Sequence, residues 1–121
     1  MSINILAIDD SRTMRNMLEF ALNDAGFTVC LAEDGQLGLD ALENFTPDVI
    51  ITDVNMPVMD GFGVIDGVRQ HPVFRATPIL VLTTESAPEL KQRARNAGAT
   101  GWIVKPFDKE KLVSAIHKVA A

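Results

Sequence analysis

The sequence lacks the features of disulfide-rich and membrane proteins. Its 121 residues include one cysteine, Cys30, which excludes an internal disulfide and a cysteine-based zinc site. Because the neighbours of Cys30 are mostly apolar, we expect a small buried side chain rather than a reactive thiol. No apolar stretch reaches the roughly 18 residues of a membrane helix, and the N-terminus lacks a basic segment followed by an apolar one. We therefore expect a cytoplasmic protein without a membrane partner.

Positive charge is scarce in the first part of the chain. Residues 1–74 contain three arginines, no lysine and twelve carboxylates, whereas residues 75–121 contain eight basic residues and four carboxylates. The acidic part suggests a cation site, and the basic part suggests a surface for an acidic partner. The overall charge of −5 argues against nucleic-acid binding.

Strand-like and helix-like patterns alternate along the whole chain. Apolar runs predict strands at residues 3–8, 28–32, 48–52, 78–83 and 101–104. Helical periodicity or helix-boundary residues predict helices at residues 12–25, 35–45, 60–70, 87–97 and 109–119. Strands that are apolar throughout are typical of a parallel sheet covered on both faces. The pattern predicts a doubly wound α/β fold in which residues 1–121 form a single domain, with no separate output domain.

Residues at the helix boundaries support these limits. Gly26 and Gly98 stand where glycine commonly ends a helix. Asp34 is expected to cap the second helix. The tetrapeptide that begins at Ser86 (SAPE) has the spacing of a capping box, so we expect Ser86 to cap the fourth helix.

Polar residues lie at the carboxyl end of four predicted strands or directly after it. Asp9 and Asp10 follow the first strand, Asp53 the third, Thr83 ends the fourth and Lys105 follows the fifth. Because the carboxyl ends of parallel strands lie at one edge of a sheet, we expect these side chains to meet. Close carboxylates repel one another, and a hard cation such as Mg²⁺ relieves that repulsion. With a lysine and a hydroxyl for an anion beside the metal, the group suits phosphoryl transfer to Asp53.

These residues, together with residues 53–61 (DVNMPVMDG) and 105–107 (KPF), resemble the receiver domains of response regulators. Among these, the chain is most similar to the stand-alone, CheY-like regulators of chemotaxis. The resemblance covers essentially all 121 residues. It implies a flavodoxin-like sheet of five parallel strands in the order 2-1-3-4-5, flanked by five helices.

The resemblance also implies the chemistry of the site. A histidine kinase would phosphorylate Asp53 with Mg²⁺ as cofactor. Asp10, Asp53 and the backbone carbonyl of Asn55 would bind the metal, and Asp9 would act mainly through water. Lys105 would pair with the acyl phosphate, and the peptide bond between Lys105 and Pro106 would be cis.

Further roles implied by the resemblance concern the response to phosphorylation. Thr83 would turn inward to the phosphate, and Trp102 would occupy the aromatic switch position, which is usually Tyr or Phe. Asn55, Thr84 and Glu85 would tune the rate of dephosphorylation. The chain would be a signalling protein whose catalysis is limited to its own phosphoryl transfer and autodephosphorylation.

The partners implied by the resemblance are a histidine kinase, the flagellar motor switch protein and, as a further candidate, a phosphatase. A monomer is expected. The basic half of the chain would supply the partner face, which consists of Lys91, Arg95, Trp102 and Lys109.

Three other interpretations remain open at this stage. A lone receiver can serve as a phosphate sink or a phosphorelay shuttle without contacting a motor. A phosphatase of the haloacid dehalogenase type would need a second aspartate two residues after the nucleophile, where this sequence has Asn55. A flavin- or nucleotide-binding module would need a loop rich in Gly, Ser or Thr after the first strand, where this sequence has residues 9–12 (DDSR).

Overall fold

Five parallel strands form one sheet in the order β2-β1-β3-β4-β5 in the computed structural model, which describes residues 2–120. The predicted doubly wound topology and strand order are confirmed. The strands are β1 (Asn4–Ile8), β2 (Thr28–Ala32), β3 (Val49–Thr52), β4 (Ile79–Thr83) and β5 (Gly101–Val104). The helices are α1 (Arg12–Asp24), α2 (Gly35–Ala41), α3 (Gly61–Arg69), α4 (Pro88–Ala97) and α5 (Lys109–Ala120).

The core consists of two apolar clusters on opposite faces of the sheet. Successive residues of a strand point to opposite faces. Ile5 and Ala7 of β1 therefore lie in the cluster that includes residues of α1 and α5, whereas Leu6 and Ile8 lie in the cluster that includes residues of α2, α3 and α4. Burial on both faces leaves the carboxyl ends of the central strands as the place where polar side chains gather. Within residues 2–120, no helix is both long and apolar enough to cross a membrane.

Two predicted helix boundaries are wrong. Ser86 does not cap α4: the N-cap is Ala87, and no described side chain donates or accepts a capping hydrogen bond there. A residue that precedes proline is disfavoured in the helical region, and Ala87, which precedes Pro88, is accordingly extended (φ −63°, ψ 128°). α2 ends at Ala41 rather than at residue 45. The amides of residues 42–44 bond to carbonyls three residues earlier, instead of the four residues of an α-helix.

Other local predictions are confirmed. The side chain of Asp34 accepts a hydrogen bond from the amide of Leu37 at 2.8 Å and caps α2. Gly26 and Gly98 have φ values of 90° and 115°, in the left-handed region that glycine adopts without a steric penalty. Ser11, rather than the acidic pair before it, caps α1. Asp9 and Asp10 are therefore not needed as helix caps.

Candidate functional site

Three carboxylates meet at the carboxyl edge of the sheet, as predicted. One carboxylate oxygen from each of Asp9, Asp10 and Asp53 lies within 4.8 Å of the others. Asp9 is 1% exposed and Asp53 is 8% exposed, whereas Asp10 is on the surface. Two buried carboxylates are costly unless each has a partner of opposite charge or a set of hydrogen-bond donors.

Lys105 supplies the opposite charge. Its Nζ donates to Oδ2 of Asp9 at 2.7 Å and to Oδ2 of Asp53 at 2.6 Å. Burial on its own lowers the pKa of Lys105, but the hydrogen bonds and charges of Asp53 and Asp9 outweigh burial, and the net pKa is raised. Lys105 is therefore charged at neutral pH and holds two of the three carboxylates. The peptide bond between Lys105 and Pro106 is cis, which confirms that prediction.

Backbone amides orient the same two carboxylates. Oδ1 of Asp9 accepts from the amide of Ser11 at 2.9 Å, and Oδ1 of Asp53 accepts from the amide of Val54 at 2.6 Å. The guanidinium of Arg15 donates to the backbone carbonyl of Asp9 at 2.8 Å and so fixes the β1–α1 loop. Sequence reasoning missed Arg15 because an arginine on the first turns of a helix usually points to solvent.

The carboxylate set fits a divalent cation. Within residues 2–120, the Asp10 carboxylate forms neither an ion pair nor a hydrogen bond, so one lysine faces three carboxylates. Mg²⁺ prefers a few carboxylate oxygens and retains several waters, and the exposed position of Asp10 leaves room for those waters. The group can therefore hold Mg²⁺ at the surface end of the cluster.

The β3–α3 loop is tightly packed next to Asp53 and strained at one residue. A Cβ atom at Gly61 would lie 2.2 Å from the carbonyl oxygen of Asp53, so only glycine fits there. Val58 has φ of 70°, and the amide of Met59 bonds to the carbonyl of Pro57 at 2.7 Å, which makes a γ-turn centred on Val58. The Val58 side chain is 81% exposed. Nothing in a β-branched residue signals this conformation, so sequence reasoning could not find it.

The last residue of β4 and the two residues that follow it form a second wall of the site. Thr83 is fully buried, and its Oγ1 accepts a long hydrogen bond of 3.3 Å from the amide of Glu85. Thr84 is exposed. The side-chain amide of Asn55 donates to Oε1 of Glu85 at 3.0 Å, so a side-chain hydrogen bond joins the β3–α3 loop to the β4–α4 loop. The sequence places these residues near one another but does not reveal this bond.

Trp102 connects the site to the surface between α4 and β5. It is half-buried, and its indole N–H donates to the backbone carbonyl of Glu85 at 3.1 Å. A depression of about 80 Å³ beside it is lined by Trp102, Lys91 and Arg95. Lys109, the fourth predicted residue of the partner face, does not line this depression and forms an ion pair with Asp24 of α1. The structure thus brings three of the four residues together.

Comparison with known proteins identifies the class to which this site belongs. Residues 5–117 match the response regulator receiver domain family. The chain therefore belongs to the response regulator receiver domain family. Members of this family are signalling regulators rather than metabolic enzymes, which leaves the phosphatase and nucleotide-binding interpretations without support.

Individual relatives narrow the class to CheY-like receivers of two-component systems. The chain is 36% identical over 118 residues to the probable chemotaxis protein CheY of Rhizobium etli, covering 97% of this chain and 92% of that protein. The structure of chemotaxis protein CheY4 of Vibrio cholerae is similar with a TM-score of 0.94 and 46% identity, over 98% of this chain and 99% of that one. The receiver domain of sensor histidine kinase PA1611 from Pseudomonas aeruginosa, with a magnesium ion coordinated in its active site cleft, has a TM-score of 0.91 and 25% identity, over 99% of this chain and 98% of that one.

Proposed function

We propose that this protein is a stand-alone response regulator of chemotaxis, phosphorylated on Asp53 by a histidine kinase with Mg²⁺. The observation that carries the proposal is the arrangement of Asp53 itself. One carboxylate oxygen is oriented by the Val54 amide and the other lies 2.6 Å from Lys105, beside two further carboxylates. A nucleophile held between a fixed amide and a cation is prepared for attack on phosphorus.

The side chains of the site have separate tasks in this transfer. A carboxylate oxygen of Asp53 forms a bond to phosphorus as the bond from phosphorus to the histidine nitrogen of the kinase breaks. The ammonium group of Lys105 moves partly away from the carboxylates of Asp9 and Asp53 and forms an ion pair with the new phosphoryl oxygens. Asp10, Asp53 and the carbonyl of Asn55 would hold Mg²⁺, with Asp9 acting through water. When bound, Mg²⁺ neutralises charge on the transferred phosphoryl group. The magnesium in the related receiver of PA1611 supports this choice of metal.

The response to phosphorylation would begin at Thr83. Its hydroxyl turns to the new phosphoryl oxygens and gives up the long bond from the amide of Glu85. Because Glu85 also holds the side chain of Asn55 and the indole of Trp102, its displacement changes both the site and the surface depression. We expect Asn55, Thr84 and Glu85 to control the access of water to the phosphorus and so to tune dephosphorylation.

Trp102 reports the chemistry because it is the only tryptophan. We expect a small phosphodonor or beryllofluoride to change its fluorescence only in the presence of Mg²⁺, and mass spectrometry to detect one phosphoryl group on the wild-type chain. Asp53→Asn should abolish both signals. Asp66→Asn removes the same charge from an exposed residue of α3 and should leave both unchanged. Phosphoryl uptake that persists in Asp53→Asn would refute the proposal.

The partner would be the flagellar motor switch protein, bound at the depression lined by Lys91, Arg95 and Trp102. A basic rim around an aromatic side chain suits an acidic segment of the partner. We expect Lys91→Gln and Arg95→Gln to weaken binding of the phosphorylated protein to the motor switch protein in a calorimetric titration. Lys109→Gln is the matched control, because Lys109 is paired with Asp24 outside the depression.

The binding experiment also decides between motor binding and the other receiver roles. A phosphorylated wild-type protein that does not bind the motor switch protein, but passes its phosphoryl group back to the kinase or on to a phosphotransfer protein, would be a phosphate sink or a phosphorelay shuttle. That result would refute the motor part of the proposal and leave phosphorylation of Asp53 intact.

A further inference from the structure

Arg69, the last residue of α3, binds the backbone where α4 ends. Its Nε and Nη2 both donate to the carbonyl oxygen of Gly98, at 3.0 and 2.7 Å. Its Nη1 donates to the carbonyls of Arg75 and Thr77, at 2.9 and 2.7 Å. One guanidinium therefore joins the carboxyl end of α4 to the loop before β4 with four charge-assisted hydrogen bonds. None of these contacts belongs to the phosphorylation site.

The turn after α4 is built around this guanidinium. Gly98 has φ of 115°, and a Cβ atom there would lie 2.8 Å from Nε of Arg69. The amides of Gly98 and Ala99 both bond to the carbonyl of Ala94. The amide of Thr100 donates to the carbonyl of Ile79 in β4, and the hydroxyl oxygen of Thr100 accepts a hydrogen bond from the amide of Ile79. The carboxyl end of α4 is thus fixed to α3, to the loop and to the sheet.

The amino end of the same helix is held much less firmly. Ala87, the N-cap, has no side-chain hydrogen bond among the described residues. Within α4, all of whose residues are described, Ala94 is the single buried residue, and it lies in the carboxyl half; in the amino half, Leu90 packs against the core but is only partly buried. Near the middle, Arg93 stacks on the ring of Phe62 in α3 at 3.8 Å, a contact made by a long and adjustable side chain. The helix therefore has one fixed end and one weakly held end.

We infer that Arg69 makes the carboxyl end of α4 a pivot, so that movement of α4 is confined to its amino end. The amino end adjoins Glu85 and Thr83, so a shift of that loop would tilt the helix about Gly98. Lys91 would then move relative to Trp102, while Arg95, near the pivot, would keep its position in the depression. The existence of the pivot is independent of phosphorylation, whereas its part in signalling rests on the proposed function.

Amide hydrogen exchange tests the pivot in the absence of metal and phosphate. In Arg69→Gln, we expect the amides of Gly98 and Ala99 to lose about ten- to a hundred-fold of their protection, because charge-assisted bonds are replaced by weaker neutral ones. Arg75→Gln is the matched control: it removes the same charge from the loop to which Arg69 binds, but the exposed side chain of Arg75 takes no part in these hydrogen bonds. Protection in this control should change less than about two-fold.

Two results would overturn the pivot. One is wild-type protection at Gly98 and Ala99 in Arg69→Gln. The other is an equal loss of protection in all five helices, which would indicate general destabilisation. Should Arg69→Gln fail to fold, Arg69→Lys retains the charge but offers a single donor group in place of the fork. We expect it to lose protection at the same two amides, and unchanged protection in Arg69→Lys would equally overturn the inference.

The signalling part is tested with a small phosphodonor and Mg²⁺. Arg69→Gln should still accept a phosphoryl group on Asp53, as measured by mass, but should lose most of the Trp102 fluorescence change. A full fluorescence change in this variant would refute coupling through the pivot. A wild-type chain that accepts no phosphoryl group would refute the proposed function instead, and the exchange experiment would still decide whether the pivot exists.

Discussion

Asp10 is the residue whose charge is least compensated at the candidate metal site, and its neutralisation should have opposite effects with and without Mg²⁺. Lys105 binds Asp9 and Asp53 but makes no ion pair with Asp10, although oxygens of all three carboxylates lie within 4.8 Å. Asp10→Asn keeps the shape of the side chain and removes the repulsion. In the absence of metal, we therefore expect the variant to be more stable than the wild type.

The size of the effect follows from the geometry. Two like charges about 4 Å apart repel by about 1 kcal/mol in water and about 4 kcal/mol at an effective dielectric constant of 20. Asp10 is exposed, so the smaller value applies to it. At a Mg²⁺ concentration of about a hundred times Kd, binding stabilises the wild type by about 2.7 kcal/mol. Asp10→Asn should gain much less, because it lacks one of the carboxylates expected to bind the metal. The order of stability should therefore reverse when Mg²⁺ is added.

Urea unfolding followed by far-UV circular dichroism measures both quantities, in EDTA and in excess Mg²⁺. A gain of about 1 kcal/mol moves the midpoint by about 0.5 M at a typical urea slope. Glu43→Gln is a charge-matched control on the exposed turn after α2, and it should respond to Mg²⁺ like the wild type. The reasoning is refuted if Asp10→Asn is less stable than the wild type in EDTA, or if Mg²⁺ stabilises both proteins equally.

Three further substitutions probe the same region. Lys105→Met leaves two buried carboxylates unpaired and should cost about 3 kcal/mol in urea unfolding. Because folding raises the pKa of Lys105, this difference from the wild type should persist below the ordinary lysine pKa of 10.5 and shrink as the pH rises through the pKa of the folded state. A difference that stays constant with pH would contradict the ion pairs. Val58→Gly should stabilise the chain by about 1 kcal/mol, because glycine adopts a positive φ without strain. Thermal unfolding measures this gain, and Val73→Gly, at a similarly exposed valine, is the control that should show no gain. Trp102→Phe removes the donor to the Glu85 carbonyl and should cost about 1 kcal/mol in urea unfolding followed by circular dichroism; unchanged stability would show that this hydrogen bond contributes little.

Much of the fold could be predicted because its determinants are local or periodic. The apolar runs of β3 and β4 indicate burial on both faces, and the glycines after α1 and α4 mark the ends of those helices. The start of α4 was mispredicted where two local rules compete. Ser86 has the spacing of a capping box, but Pro88 forces Ala87 into an extended conformation, and the restriction before proline prevails.

The candidate site could be predicted at the level of which residues meet, but not at the level of which atoms bond. Parallel topology alone brings the ends of β1, β3, β4 and β5 to one edge. It does not indicate that Lys105 binds two carboxylates at once or that Asn55 reaches Glu85, because each contact depends on side-chain conformation across 30 residues or more of sequence. Arg69 could not be recognised either, since all of its acceptors are backbone carbonyls, which have no sequence signature.

Glu85 limits how strongly the site and the surface depression can be coupled. It forms three hydrogen bonds that join the site to Trp102: from Asn55 to its carboxylate, from its amide to Thr83, and from Trp102 to its carbonyl. At about 1 kcal/mol for each bond, their rearrangement can shift the equilibrium between inactive and active surfaces by about 3 kcal/mol at most. That is roughly a hundred-fold change in population, within the usual range of allosteric coupling. A response that passes through so few bonds requires one end of α4 to be fixed. If the whole helix could shift, it would follow the displacement of Glu85 without moving Lys91 relative to Trp102. The four hydrogen bonds of Arg69 fix the carboxyl end of the helix, which is the end away from Glu85.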